Sequence, residues 1–203
     1  MIRIVKYGLG NIAAFANIYR QLNIECATAE TAEELASASK IILPGVGAFD
    51  WAMRLLVQSG MRECLDDVVL NRKVPVLGVC VGMQMMANSS EEGKLPGLGW
   101  VDAEVRRFDE SQFTDKTHLP HMGWSTAHPS DDKTLFRDMP DPRFYFLHSY
   151  FVAPHRPQDV LAQTDYGARF CSATRVDNIF GVQFHPEKSH QWGIKLLQNF
   201  AEL

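Results

Sequence analysis

Short apolar runs alternate with amphipathic segments along the first half of the chain. The apolar runs, which predict buried strands, are residues 2–5, 24–27, 41–43 and 74–79. The amphipathic segments, which predict helices, are residues 12–22 with Asn11 as the cap, 31–37 opening on Thr31, 49–57, 61–70 and 81–87. Apolar strands that are separated by helices predict a parallel sheet covered on both faces.

The second half of the chain is predicted to be mostly strands and has few helical segments. Strands with mostly short, turn-rich connections are predicted at residues 100–108, 118–122, 143–152, 160–164, 170–174 and 179–184. They indicate an antiparallel or mixed extension of the sheet, and residues 109–116 form a polar segment expected to be an exposed loop. An amphipathic helix with Ser189 as its possible N-cap closes the chain. The expected fold is α/β: a single-domain three-layer sandwich spanning 1–203, whose mostly parallel central sheet is extended by antiparallel strands.

Composition and charge narrow the function classes. Of the 203 residues, 46% are hydrophobic and 22% are charged, which is ordinary for one globular domain. The net charge of −4 gives no electrostatic support for binding nucleic acid or an anionic membrane. No apolar run approaches the roughly 18 residues of a spanning helix, and residues 1–5 resemble a strand rather than a signal peptide. We therefore expect a cytoplasmic protein.

The four cysteines are widely scattered and form no Cys-x-x-Cys pair: Cys26, Cys64, Cys80 and Cys171. This pattern argues against a zinc site or a redox dithiol, and no metal or other cofactor is expected. Three of them are typical of small buried hydrophobic residues, whereas Cys80 has unusual neighbours.

Cys80 lies between Gly78 and Gly82, where a predicted strand meets a predicted helix. Glycines at these positions permit a nucleophile elbow, a strained turn that exposes the central side chain. The start of the helix favours a thiolate, and the backbone N–H of Val81 is placed to stabilise an oxyanion. The alternative interpretation is a buried core cysteine whose glycines merely allow tight packing.

His185 and Glu187 follow the last predicted strand as His-Pro-Glu. An imidazole can accept the proton of a thiol and later deliver it to an amine leaving group. Residues two apart in extended chain project to one side, so Glu187 can fix the tautomer of His185. A lone histidine at a strand end is more often structural, but together with the elbow it favours Cys-His-Glu catalysis.

A third element is the segment Pro-Gly-Val-Gly at residues 44–47, which follows a buried strand. The carboxyl ends of parallel strands face one crevice, so this loop should lie beside Cys80. Backbone amides at Val46 and Gly47 are candidates for a second oxyanion donor, although a simple turn before a helix is the alternative.

These motifs resemble the class I, or triad, glutamine amidotransferases. The resemblance is carried by GVCVGMQ around Cys80, PGVG at 44–47 and GVQFHPEKS at 181–189. Within that family the chain is similar to the HisH group, the glutaminase subunits of imidazole glycerol phosphate synthases. The marks of that group are residues 7–12, 119–124 and 146–150, and Lys188 directly after His-Pro-Glu.

The resemblance implies hydrolysis of L-glutamine to glutamate and ammonia through a γ-glutamyl thioester on Cys80. It also implies that Gln84, Glu92 and the backbone around Ser149 and Tyr150 recognise glutamine. Taken alone, Gln84 is also typical of a polar helix residue, Glu92 of a solvated acidic pair and Tyr150 of a core aromatic.

The family further implies a partner that consumes the ammonia, a HisF-type (β/α)8-barrel cyclase in a heterodimer. By position, the residues expected near that interface are Tyr7, Asn11, Trp124, Tyr145 and Lys188. We expect the ligand of the synthase to raise the glutaminase rate through this interface.

The chain departs from the usual HisH pattern at several positions outside the triad. Lys6 replaces a common acidic residue, Val81 a leucine and Ser125 an asparagine, and residues 86–89 lack a bulky Phe-Glu. These departures leave open a HisH-like paralogue that supplies ammonia to another acceptor, such as a surface-polysaccharide sugar amidation system. A non-catalytic binding module remains a more remote alternative, and a γ-glutamyl peptidase fits the motifs less well.

Overall fold

The computed structural model describes residues 1–113, 117–131 and 133–203, so part of the predicted loop 109–116 lies outside the described residues. The strands are Ile2–Val5 (β1), Cys26–Ala29 (β2), Lys40–Gly45 (β3), Val76–Cys80 (β4), Ser89–Ser90 (β5), Ala103–Arg107 (β6), His121–Thr126 (β7), His128–Pro129 (β8), Arg143–His148 (β9), Tyr150–Pro154 (β10), Val160–Tyr166 (β11), Ala168–Val176 (β12) and Ile179–Val182 (β13). The helices are Ile12–Gln21 (α1), Ala32–Ala36 (α2), Phe49–Gln58 (α3), Arg62–Asp66 (α4), Val81–Met85 (α5) and His190–Ala201 (α6).

The central sheet has the strand order β2-β1-β3-β4-β13-β12-β11-β8 within the described residues. Its first five strands are parallel, and β12, β11 and β8 continue the sheet in antiparallel fashion. All five residues of β4 are buried, and because successive side chains point to opposite faces, both faces of the sheet are covered here. The predicted α/β fold with its antiparallel extension is confirmed.

Three predicted strands, 100–108, 118–122 and 143–152, join smaller sheets instead of the central one. The predicted strand 143–152 breaks at Ser149 into β9, which pairs with β7, and β10, which pairs with β6. The antiparallel side of the central sheet is already occupied by β12, β11 and β8, and each strand has only two edges for pairing. The later strands therefore supply the predicted antiparallel extension and also form two smaller sheets.

Helix and strand ends differ from the predictions by a few residues. Thr31 accepts a hydrogen bond from the backbone N–H of Glu34, as a capping residue should. Asn11 and Ser189 occupy N-cap positions without a side-chain capping bond. The strand predicted at 118–122 instead begins at His121, directly after Pro120, which has no N–H to donate to a ladder.

Candidate active site

Cys80 ends β4 and directly precedes α5, in a backbone conformation with φ 54° and ψ −113°. A positive φ is unfavourable for a residue with a Cβ, and such strain is typical of functional positions. The turn is tight because a Cβ added at Gly82 would lie 2.0 Å from the carbonyl oxygen of Leu43. The spacing of glycines around Cys80 is thus a steric requirement of this junction.

His185 and Glu187 meet Cys80 because β13 lies parallel beside β4, with Val182 opposite Val79. His185 and Cys80 line the same cavity, and the Cys80 sulfur is among the groups that raise the pKa of the His185 ring. On its other side, Nδ1 lies 2.9 Å from Oε1 of Glu187, and both side chains are almost completely buried. The structure therefore brings together the three residues that the sequence nominates as a catalytic triad.

The electrostatics favour a charged imidazole. Burial alone would lower the pKa of His185, but its interactions with the Cys80 sulfur and the Glu187 carboxylate outweigh that effect and raise the pKa to about 10. An imidazolium held between a sulfur and a carboxylate is suited to protonate a leaving amine.

The loop 44–47 lies against the elbow. Gly45 is opposite Cys80 in the β3–β4 ladder, and a Cβ added at Gly45 would lie 2.3 Å from the backbone nitrogen of Gly82. Gly47 has a φ of +83°, which glycine adopts without strain. Val46 and Gly47 line the same cavity as Val81.

A cavity of about 260 Å³ opens beside Cys80 and His185. Its walls include the predicted oxyanion residues Val46, Gly47 and Val81 and all four predicted substrate-binding residues, Gln84, Glu92, Ser149 and Tyr150. The carboxylate of Glu92 also accepts the backbone N–H of Phe49 at 2.9 Å, so one of its oxygens anchors the start of α3.

Sequence reasoning missed Gln183. Its side-chain Nε2 lies 3.7 Å from the Cys80 sulfur, and its Oε1 accepts a hydrogen bond from Gln84 at 3.1 Å. The available signal was a polar residue inside the apolar strand end that precedes His-Pro-Glu. Gln183 is fully buried, so these bonds satisfy polar atoms that have no access to water.

The residues nominated for a partner interface separate into two groups. Trp124, Tyr145 and Lys188 lie together: Trp124 packs edge-on against Tyr145, and the Lys188 ammonium lies 5.9 Å from the centre of the Tyr145 ring. Asn11 is exposed. Tyr7 is only 4% exposed, and its hydroxyl donates to the Pro44 carbonyl at 2.8 Å. Tyr7 is therefore an interior residue whose hydroxyl holds the loop that follows Pro44, and its place near a partner interface stays a prediction.

Two exposed hydrophobic residues were also missed, Met122 and Leu147, which are 65% and 37% exposed. They lie opposite each other in the β7–β9 ribbon, as do Trp124 and Tyr145. Because side chains alternate across a strand, these four form one face of the ribbon, which we call the ribbon face. Leu147 also lines the cavity, so the ribbon face borders its mouth.

Across residues 1–113, 117–131 and 133–203, no group of three metal-binding side chains is present. In the same part of the chain, no helix has the length and apolarity needed to cross a membrane.

Comparison with protein families matches residues 9–203 to the model described as glutamine amidotransferase class-I. A curated relative from Bdellovibrio bacteriovorus, imidazole glycerol phosphate synthase subunit HisH, is 56% identical over the full length of both chains. The protein of the same name from Leptospira interrogans is 50% identical, and subunit HisH 2 from Pseudomonas aeruginosa is 43% identical, again over both full lengths.

Solved structures share the fold at much lower identity. A crystal structure of a glutamine amidotransferase superimposes with a TM-score of 0.77 at 17% identity and covers 100% of both chains. PurLQS from Thermotoga maritima gives a TM-score of 0.72 at 16% identity, covering 99% of this chain and 97% of that one.

Proposed function

Because this chain belongs to the class I glutamine amidotransferase family, we propose that it is the glutaminase subunit of an imidazole glycerol phosphate synthase in histidine biosynthesis. It hydrolyses L-glutamine to glutamate and ammonia, and it passes the ammonia to a HisF-type cyclase. The observation that carries the proposal is the placement of Cys80 and His185 in the wall of one cavity, with Glu187 hydrogen-bonded to the far side of the His185 ring.

The reaction proceeds in two steps. The Cys80 thiolate attacks the side-chain amide carbon of glutamine, and the resulting oxyanion is stabilised by backbone amides of the loop 44–47 and of Val81. As the tetrahedral intermediate collapses, the C–N bond breaks and His185 transfers its proton to the departing nitrogen, leaving a γ-glutamyl thioester. Water then attacks the thioester carbon and gives a proton to His185, and the C–S bond breaks to release glutamate and the thiolate.

Glu187 acts through His185. Its Oε1 accepts the Nδ1–H, so Nε2 is the nitrogen that faces Cys80 and exchanges protons with the reacting groups. In this role the carboxylate orients the ring and stabilises its positive charge but does not itself take up the proton.

The ribbon face supports the proposed partner. Ammonia that escaped into water would be protonated, so an acceptor enzyme has to cover the cavity mouth. Met122, Trp124 and Leu147 expose apolar surface beside that mouth, and Lys188 adds a positive charge. Aromatic residues and methionine are enriched at protein interfaces, which suits this surface to a barrel-shaped cyclase.

A second candidate keeps the chemistry and changes the acceptor. The relative from Pseudomonas aeruginosa is named subunit HisH 2, and this chain carries Ser125 on the ribbon beside Trp124, where an asparagine is expected. A paralogue supplying ammonia to a different synthase is therefore the alternative. Growth of a histidine auxotroph that carries only this gene as its glutaminase separates the two, since only the first candidate restores growth.

The chemistry is tested with a glutamine-analogue electrophile and by glutaminase assay with the cyclase and its nucleotide-type substrate. Cys80 should react rapidly. Cys171 is the matched control, because burial raises its thiol pKa to about 12 and leaves it unreactive at neutral pH. Equal labelling of the two thiols, or glutamine turnover that survives Cys80→Ala, would rule out the proposal in favour of a non-catalytic binding module.

A further inference from the structure

Two buried histidines and a serine form a chain of hydrogen bonds behind the cavity. Nδ1 of His148 lies 2.8 Å from the Tyr150 carbonyl oxygen, and its Nε2 lies 3.1 Å from Nδ1 of His121. Nε2 of His121 lies 2.9 Å from the Ser125 hydroxyl. His121 and His148 are 1% and 6% exposed, and only His148 reaches the cavity wall. The mechanism above uses neither ring.

The donor and acceptor of every hydrogen bond in this series follow from the Tyr150 carbonyl at one end. A carbonyl only accepts, so His148 carries its proton on Nδ1, and a neutral ring then offers Nε2 as an acceptor. His121 must therefore donate from Nδ1, its Nε2 must accept, and the Ser125 hydroxyl donates to it. Both rings are neutral at pH 7, because burial lowers the pKa of His148 to about 3 and that of His121 to about 4.

The His121 ring is also held in place by stacking. The His121 ring is stacked between Tyr166, at 3.8 Å between ring centres, and Phe146, at 4.6 Å. The two planes deviate from that of His121 by only 18° and 15°. His121 therefore has little freedom to rotate away from His148.

The series of hydrogen bonds ends on the carbonyl of Tyr150, a residue that also lines the cavity. The Tyr150 oxygen also accepts from Nε2 of Gln84 at 3.1 Å, and the same Nε2 donates to Oε1 of Gln183 at 3.1 Å. Both N–H groups of Gln84 are thus used, which fixes the orientation of its amide. Its Oε1 is left as the polar atom available to a ligand in the cavity, where it suits a donor such as the α-ammonium group of an amino acid.

We propose that Ser125, His121 and His148 are positioning residues that hold the Tyr150 carbonyl and the Gln84 amide in the orientation that receives the amino-acid end of glutamine. This assignment rests on the glutaminase function proposed above. It gives a role to the histidines of two sequence motifs, 119–124 and 146–150, that the triad leaves unexplained.

The tautomers are the first test, and they do not depend on activity. Nitrogen-15 NMR of the full chain at pH 7 should show His121 and His148 as neutral rings protonated at Nδ1, with the signals assigned by their change in His148→Asn. Protonation at Nε2 in either ring, or a charged ring at pH 7, would refute this series of hydrogen bonds.

Kinetics with the cyclase partner test the positioning. His148→Leu removes the bond to Tyr150 and should raise the KM for glutamine about 10-fold while kcat stays within about twofold, because the binding lost lies away from the reacting amide. His148→Asn should restore the KM to within about threefold of wild type, since the asparagine amide nitrogen occupies the place of Nδ1. Tyr166→Phe keeps the ring that stacks on His121 and serves as the matched control with unchanged kinetics.

The outcomes separate this proposal from the proposed function. An unchanged rate of Cys80 alkylation by iodoacetamide shows that His148→Leu folds and keeps its nucleophile; if that variant does not fold, Ser125→Ala should still raise the KM about threefold. A wild-type KM in His148→Leu, or a loss of kcat alone, would refute the positioning role, as would equal impairment of the leucine and asparagine variants. If the wild-type complex hydrolyses no glutamine, the proposed function is wrong. The NMR tautomers still test the series of hydrogen bonds from Ser125 to Tyr150, because they do not depend on activity.

Discussion

The substitution Gly82→Ala isolates the contact between the elbow and the loop 44–47. An alanine Cβ at this position would lie 2.0 Å from the Leu43 carbonyl oxygen, whereas real Cβ contacts are almost never shorter than 3.0 Å. The obstacle is backbone in a central strand, so no side chain can rotate aside. The difference between 3.0 Å and 2.0 Å means that β3 and the elbow must separate by at least about 1 Å.

A displacement of that size should disable catalysis. Misplacing reacting groups by about 1 Å lowers rates on the order of 100-fold. The loss of one oxyanion donor, which the same movement would cause, is worth roughly 3–4 kcal/mol. We therefore expect kcat/KM for glutamine hydrolysis, measured with the cyclase partner, to fall at least about 100-fold in Gly82→Ala.

Gly60→Ala is the matched control for this prediction. Gly60 has a positive φ, +72°, which Gly82 does not, but a Cβ at Gly60 would meet nothing within 4 Å, and the residue lies in an exposed turn after α3. The variant should lose about 1–2 kcal/mol of stability through backbone strain and keep its activity. Thermal melting of both variants separates lost stability from lost geometry. A folded Gly82→Ala protein with activity within about threefold of wild type would refute the steric argument.

The remaining predictions concern the triad and the ribbon face. Cys80→Ala should abolish glutamine hydrolysis yet bind the cyclase with unchanged affinity in calorimetry, because the sulfur lies inside the cavity and not on the ribbon face. Glu187→Gln should reduce kcat less than His185→Asn does, since Glu187 orients the ring and does not transfer the proton. In Glu187→Gln the His185 pKa falls from about 10, because a charge that favours the imidazolium is removed, so the alkaline limb of the pH–rate profile should move to lower pH. Trp124→Ala should weaken cyclase binding by about 2 kcal/mol or more while iodoacetamide still labels Cys80 at the wild-type rate; unchanged affinity would place the interface elsewhere.

Features that depend on near neighbours in the chain were predictable. Part of the steric demand for glycines around Cys80 is local, because a Cβ added at Gly78 would lie 2.8 Å from the Gly82 carbonyl oxygen four positions away, whereas the contact of Gly82 with Leu43 crosses to another strand. The reach from His185 to Glu187 spans only two positions. The apolar runs that became β1, β3 and β4 follow from burial on both faces of a parallel sheet, which requires apolar side chains at consecutive positions.

The tertiary structure alone decided which distant residues meet. Gln183 reaches Cys80 across 103 positions, and His148 meets His121 across 27. Strand pairing makes these residues neighbours, and local propensity does not predict which distant strands pair. The same reason explains Tyr7, whose hydroxyl donates to the Pro44 carbonyl across 37 positions in the interior. By itself the sequence determined the strand-helix order and nominated Cys80 and His185 as nucleophile and base, since these patterns are local. The polar network that orients Gln84 exists only once β7, β9, β10 and α5 are assembled, because its bonds between His121 and His148, His148 and Tyr150, and Gln84 and Tyr150 join different strands or a strand and a helix.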